Sequence, residues 1–207
     1  YGIYYNPNEK DGVPGSRPDP LNKKWERPIS LEWIDPNGGP GFFENGGARI
    51  HGNASKRPYR TAKRPFRLFF KASYGSSRLD FEPFAGTADA AAKFEQMVLK
   101  TNGNRQWLWN DRDQRRETDY ANDETARRLF LLMGGISARG TYAHLYVNGL
   151  YWGVYNLTER VNERHIANYL GSKDSDWAVI DADDDLETSQ PDSDDPATLA
   201  AWHGLLS

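Results

Sequence analysis

Residues 119–160 read DYANDETARRLFLLMGGISARGTYAHLYVNGLYWGVYNLTER, and this stretch decides the fold class. Two periodicities meet in it. Over 119–133 the apolar positions recur at helical spacing, with Ala126, Leu129, Phe130 and Met133 on one face. Asp119 is placed to cap the start. Asp123–Arg127 and Glu124–Arg128 are i,i+4 pairs in the favourable orientation. Gly134-Gly135 closes the helix as a glycine C-cap does. From Tyr142 the period changes to that of a strand. Tyr142 to Val147 and Leu150 to Leu157 are aromatic and β-branched runs on either side of Asn148-Gly149. That pair suits a type I′ turn, in which both central residues take positive φ. A helix followed by a tight hairpin sets an α+β class.

Working outward, Ile29 to Trp33 alternates apolar and polar and reads as a half-buried strand. Asp35 to Gly41 is a turn cluster. Gly47 to Gly52, Pro65 to Tyr74 and Gln96 to Thr101 read as further strands. Asn162 to Leu170 is a short helix closed by Gly171, Trp177 to Ile180 is another apolar strand, and Asp181 to Asp195 is an acidic loop. The expected architecture is an antiparallel sheet of about five strands with one main helix packed on it, followed by a helical continuation. Its divisions are an extended Pro/Gly/Asn-rich arm over 1–28, the sheet domain over 29–160, and the start of a second, helical part over 161–207.

Composition narrows the chemistry. The chain has 207 residues and no cysteine, which excludes disulfides, thiolate metal sites and a catalytic thiol. No stretch approaches the length of a membrane-spanning helix. The chain begins at Tyr1, no charged and apolar leader follows, and Ala197 to Leu206 reads as an apolar helix at the other end; both features suit a piece of a longer protein.

The formal net charge of −3 hides two opposite regions. Residues 1–173 carry all 26 Lys and Arg against 19 acids, and residues 174–207 carry 10 acids and no Lys or Arg. The sharpest feature is Arg49 to Arg78, nine basic residues without an acid. Its order is strand, Gly-bearing turn (His51 to Ser55), basic loop, then a strand with Lys63, Arg64 and Arg67. Exposed backbone N–H groups followed by cations on a strand suit a polyphosphate. Arg67 and Phe69 share one strand face, while Phe66, Leu68 and Phe70 share the other. A solvated strand face is the plainer reading of the same charge.

Nucleic acid is disfavoured, since the acidic tail opposes it and no nucleic-acid-binding motif is present. The four histidines are not spaced for a metal. Asp181, Asp183, Asp185 and Asp192 match four positions of a calcium loop, but Leu186 stands where the turn wants glycine, so a solvated acidic loop is the better reading.

Several segments together resemble the CotH family of atypical, secretory-type protein kinases. They are Trp25 to Pro28; Arg49 to Ser55, similar to the family's R-G-N-S-S element; Lys63 to Leu68, similar to its K-K-S-Y-R-L strand; and Leu145 to Arg160 (LYVNGLYWGVYNLTER). The resemblance implies a kinase-like N-lobe and hinge from a bacterial, exported or spore-coat protein. It implies ATP and Mg as cofactors and a protein with Ser or Thr acceptors as partner. Gly52, Asn53 and Ser55 would then lie near the phosphates. Lys63 would be the strand cation, with Arg64 and Arg67 as alternatives, and Asp123 or Glu124 would be the acid that orients it. Asn156 to Arg160 would border the adenine and ribose, with Glu159 bonding the ribose or anchoring the hinge. Tyr151 and Trp152 read as core residues. Pro65, where the family has Ser, removes a backbone donor and suggests an edge position. The family's catalytic Asp and its magnesium-binding acids lie beyond Ser207. This piece alone is therefore expected to be inactive, with no metal ligand assignable. A second reading is a non-catalytic binding or assembly module of a large bacterial cell-surface protein.

Overall fold

The structure, a computed structural model, describes residues 26–52, 54–56, 59–84, 87, 89–181, 190–191 and 196–206. Its strands are β1 (Arg27–Trp33), β2 (Phe42–Ile50), β3 (Phe66–Phe69), β4 (Leu79–Asp80), β5 (Lys93–Phe94), β6 (Gln96–Lys100), β7 (Gly140–Val147), β8 (Leu150–Glu159), β9 (Ile180–Asp181) and β10 (Gln190–Pro191). Its helices are α1 (Arg112–Arg116), α2 (Asn122–Leu132), α3 (Glu163–Leu170) and α4 (Pro196–Leu206). The class is α+β, as the hairpin and helix imply.

Six strands form one antiparallel sheet in the order β1-β2-β3-β6-β8-β7, one more strand than the sequence reading counts. Alternate residues of the inner strands face a single core. Phe66 and Leu68 from β3, Met97 and Leu99 from β6, and Tyr155 and Leu157 from β8 meet there, joined by Phe70, Phe84 and Phe94. Period-two alternation places the intervening residues on the opposite face.

The hairpin forms on its expected turn, with Asn148 at φ 51° and Gly149 at φ 79°. Strand β2 starts at Phe42, well before Gly47, because its glycines are packing positions rather than turn positions. A Cβ on Gly47 would lie 2.7 Å from the Tyr74 ring and 2.8 Å from Glu26 Oε1. Strand β3 is shorter than expected, since Lys71 to Gly75 forms a turn with N–H donors from Tyr74 and Gly75 to Lys71 O. Pro65 does not mark an edge. It sits just before β3, a strand flanked by β2 and β6, and its carbonyl accepts the His51 N–H at 2.9 Å. The missing donor falls outside the ladder.

Helix α2 differs in two ways from its expected packing. Its N-cap is Ala121, with no side-chain cap bond, while Asp119 Oδ1 accepts the Ala121 N–H at 2.7 Å instead. Its apolar face is turned outward. Ala126, Leu129, Phe130 and Met133 are exposed, and Leu132 is 85% exposed. Glu124 is the buried residue of the helix. The sequence periodicity is present, but the face that meets the sheet is the charged one.

Helix α3 forms where expected. Asn162 Oδ1 accepts the His165 N–H at 3.0 Å at its start, and Gly171 takes the left-handed conformation, φ 72°, at its end. Of Trp177 to Ile180, Ile180 is in a strand, and β9 pairs with β10. The proposed calcium positions Asp183, Asp185 and Asp192 lie outside the described residues.

The exposure of α2 has a measurable consequence. Leu132→Gln is expected to change unfolding free energy by no more than about 0.5 kcal/mol. Leu68→Ala, in the core, is expected to cost about 2–5 kcal/mol. Urea denaturation of the two variants checks this, and a comparable loss from both would show the apolar helix face to be covered.

Candidate functional site

The face of the sheet opposite the core carries the polar residues. Register places Arg67 beside Val98, Val98 beside Thr158, and Lys100 beside Asn156. Helix α2 lies against this face. Lys100 Nζ donates to Asp123 Oδ2 at 3.0 Å, so β6, the last strand before α1 and α2, supplies a cation to the first turn of α2. Arg127 Nε donates to the same oxygen at 3.2 Å. Burial alone would raise the Asp123 carboxyl, but Lys100 and Arg127 outweigh it and hold it below its ordinary range.

Glu124 fastens the helix. Its Oε2 accepts from Arg127 Nη2 at 2.7 Å and from Asn156 Nδ2 at 3.0 Å, and its Oε1 accepts from Arg128 Nε at 2.6 Å. Arg127 also donates to Ala138 O at 2.8 Å and to Asn156 Oδ1 at 2.5 Å. Burial pushes the Glu124 carboxyl up. The hydrogen bonds from Arg128 and Asn156 and the charges of both arginines outweigh that and hold it low. Gly140 makes room for the contact, since a Cβ there would stand 2.4 Å from Glu124 Oε2.

Further along the same face, Phe69 is buried beneath cations. Arg49, Arg67 and Lys71 lie 4.5, 5.1 and 4.6 Å from its ring centroid. Glu26 partly neutralises them, with Arg49 Nη2 at 2.7 Å and Lys71 Nζ at 2.8 Å. Arg67 Nε donates to the neutral Gln96 Oε1 at 2.6 Å. Arg49 Nε is buried with no hydrogen-bond partner among the described residues. The arrangement offers two guanidinium groups and two ammonium groups on one sheet face, against the carboxylates of Glu26 and Asp123. Such a face is suited to a polyanion.

The expected site residues do not all gather here. Arg67 does. Asp123 and Glu124 do, but their partners are Lys100, Arg127 and Arg128 rather than Lys63. Lys63 instead donates to Val154 O at 2.5 Å and Tyr120 Oη at 3.3 Å, which takes it away from the helix acids. Arg64 is buried, and its carbonyl accepts Tyr155 Oη–H at 3.1 Å. Gly52 has φ +91°, and a Cβ on it would collide with Ser55 Oγ, so the turn closes on the buried Ser55. Asn53 lies outside the described residues. The acid-free stretch therefore disperses: Arg60 stacks over Tyr59 and Trp109, and Arg78 pairs with Glu95.

Asn156 is hydrogen-bonded to Glu124 and Arg127, and Tyr151 and Trp152 are exposed by 53% and 38% rather than buried in the core. Lys100, Arg49, Glu26 and Gly140 are the participants that the sequence reading missed. The order strand, helix, hairpin was the signal for Lys100, as the last residue of the strand before the helix.

Glu159 is an anchor between sheet and α3. Its Oε2 accepts the Arg139 N–H at 2.8 Å, and its Oε1 accepts the Tyr169 hydroxyl at 2.5 Å. Burial raises the Glu159 carboxyl despite these donors and the nearby Arg139 charge. Tyr169 also accepts the Ala91 N–H at 3.0 Å, and Arg139 lies 4.0 Å from its ring centroid. His165 Nδ1 is 3.6 Å from Glu159 Oε2. Burial and the charge of Arg139 push His165 down to about 4, so the imidazole is neutral at pH 7 and the contact is not an ion pair.

Two measurements follow from these contacts. Removing Glu124 takes the nearer of the two carboxylates that Arg127 holds and leaves it the half-exposed Asp123, so Glu124→Ala is expected to cost about 3 kcal/mol, the lower end of the loss on breaking a buried pair. Arg128→Ala removes a largely exposed partner and is expected to cost no more than about 1 kcal/mol. Equal losses in urea denaturation would refute the buried contact. His165 titrates near 6.5 when unfolded and near 4 when folded, so the unfolded chain binds more protons between those values. Stability is then complete above pH 6.5 and falls as pH drops toward 4, by about 3 kcal/mol at 1.36 kcal/mol per pH interval. In His165→Gln this contribution to the pH dependence is expected to vanish; an unchanged profile from pH 7 to 4 would contradict the buried neutral imidazole.

No curated protein matches the chain. A family model described as CotH kinase protein matches residues 48–203, from the end of β2 through most of α4. That match covers most of the chain, including the charged sheet face, helix α2, the hairpin and the anchor to α3, and on it the chain belongs to the CotH kinase family.

Proposed function

We propose that the intact protein binds ATP on the sheet face that carries Arg67 and Lys100, and transfers its γ-phosphoryl group to a Ser or Thr hydroxyl of a protein. The carrying observation is the 3.0 Å contact between Lys100 on β6 and Asp123 on α2. A strand lysine oriented by a helix acid is the device by which kinases hold the phosphates. Family membership supports a kinase-like protein, and the finer assignment rests on this geometry.

The role of each residue follows from its charge and restraint. Lys100 neutralises phosphate oxygens, and Asp123 with Arg127 fixes the direction of its ammonium. Arg67 supplies a planar guanidinium to the same face. Glu124 and Asn156 hold the helix, and so hold Asp123 in place. ATP, when bound, supplies the phosphoryl group and the anionic charge that this face complements. Catalysis of this kind is largely positioning and charge stabilisation.

Among the described residues no group of three or more His, Asp or Glu could hold a metal ion. We place the activity outside the cytoplasm or on a coat or surface protein, on family resemblance. No helix among the described residues is long and apolar enough to cross a membrane.

The test is Mg-ATP-dependent phosphorylation of protein acceptors by the natural full-length protein. Lys100→Met is expected to lower the rate by about 10²–10³, the usual loss on removing one charge-stabilising group. Lys63→Met is expected to leave it largely intact. Full activity in a folded Lys100→Met protein would refute the assignment.

A further inference from the structure

Lys63, displaced from the helix acids, belongs to a second feature. An open groove of about 490 Å³ runs between the segment before α2, with Trp107 and Tyr120, and the hairpin, with Tyr142, Tyr151 and Trp152. The volume is within the ~300–1,000 Å³ of ordinary ligand sites. The groove shares none of its lining with Arg67, Lys100, Asp123 or Glu124.

Lys63 is the charged side chain among its lining residues. Its Nζ lies 4.6 Å from the Tyr155 ring centroid and 5.1 Å from that of Tyr120, and its two hydrogen bonds go to neutral oxygens. Gly153, at φ +107°, permits the approach, since a Cβ there would stand 3.2 Å from Nζ. Burial lowers the ammonium's pKa, and no acid among the described residues offsets it. A half-buried cation with no carboxylate partner is costly, and an anionic ligand would compensate it.

The rings define the remainder of the ligand. Trp107 is 71% exposed, Tyr151 53% and Tyr142 41%; Trp107 packs on Tyr120 and Tyr151 on Tyr146 and His144, and the ring surface left exposed can take a flat, rigid group. Of their polar edges, the Tyr142 hydroxyl donates to Tyr120 O and the Tyr151 hydroxyl is bonded to His144 Nδ1, so the indole N–H of Trp107 is the edge offered to a ligand. Aromatic-lined grooves of this kind take proline-rich segments. The polyproline II backbone has no internal hydrogen bonds, so its carbonyls are open to an indole N–H.

We infer that this groove binds a proline-containing acidic polypeptide segment, its prolines against the Trp107, Tyr142 and Tyr151 rings and its carboxylate on Lys63. The inference does not depend on phosphoryl transfer. It gives the protein a recognition surface for a partner chain that is separate from the charged sheet face.

The probe is a fluorescein-labelled peptide containing Pro-Pro-Asp-Pro, with its Pro-Pro-Asn-Pro counterpart, titrated with the whole chain and followed by anisotropy. The acidic peptide is expected to bind about tenfold more tightly, the scale of one charge-assisted hydrogen bond. Lys63→Met is expected to erase that difference, and Trp107→Ala to weaken both peptides by about tenfold. The peptide pair on the unaltered protein is decisive even if a variant fails to fold. Equal affinities for the two peptides, no binding, or unchanged binding by folded Trp107→Ala would overturn the proposal. So would digalacturonate binding at this groove in place of the peptides, which would make it a saccharide site.

Discussion

The contact on which the architecture turns is the buried carboxylate of Glu124, held between Arg127, Arg128 and Asn156. Helix α2 carries an apolar stripe, and hydrophobic burial would turn that stripe inward. The charged face is inward instead, because the sheet surface it meets is polar. Lys100 and Asn156 face it from β6 and β8, and the carbonyls of Ala138 and Gly140 accept from its arginines. An apolar face set there would leave those groups without partners, at about 1–3 kcal/mol for each neutral group and more for a charge. Buried ion pairs add little net stability compared with good apolar packing. What they fix here is orientation, since reversing the helix would strand several charges at once. Asp123 is thereby delivered to Lys100.

The sheet divides its labour by alternation. One set of positions, from Phe66 to Leu157, forms the core, and the intervening set carries Arg67 and Lys100. Cations that the sequence clusters in one stretch are thereby distributed. Arg49 and Lys71 gather with Arg67 around Phe69, while Arg64 is buried and Lys63 reaches the middle of β8. Linear charge density is a poor guide to a site, because neighbouring strand residues point in opposite directions.

Much of the fold was legible. The Asn148-Gly149 turn, the Gly171 cap and the alternation of β1 and β3 depend on local backbone chemistry, which a sequence states directly. The start of β2 was hidden because Gly46 and Gly47 resemble turn residues, although their glycines answer tight contacts with Phe69, Tyr74 and Glu26. Helix α2 was found, but not its orientation, which depends on what lies across from it. Lys100 was passed over for Lys63 because a basic run attracts attention and a single lysine at a strand end does not. Its identity as the helix's partner requires the strand pairing, which is a long-range fact. Gly140 was missed for the same reason, since its need for no side chain comes from Glu124.

Every functional role assigned to Lys100, Arg67 and Asp123 requires nucleotide on the polar sheet face. Photo-crosslinking of the natural full-length protein with 8-azido-ATP, followed by peptide mapping, tests this most directly. Adducts within 96–100 or 156–160, suppressed by excess ATP, are the expected result. Suppressible adducts confined to 107–120 or 150–154 would put the nucleotide in the aromatic groove and contradict the assignment of the two surfaces.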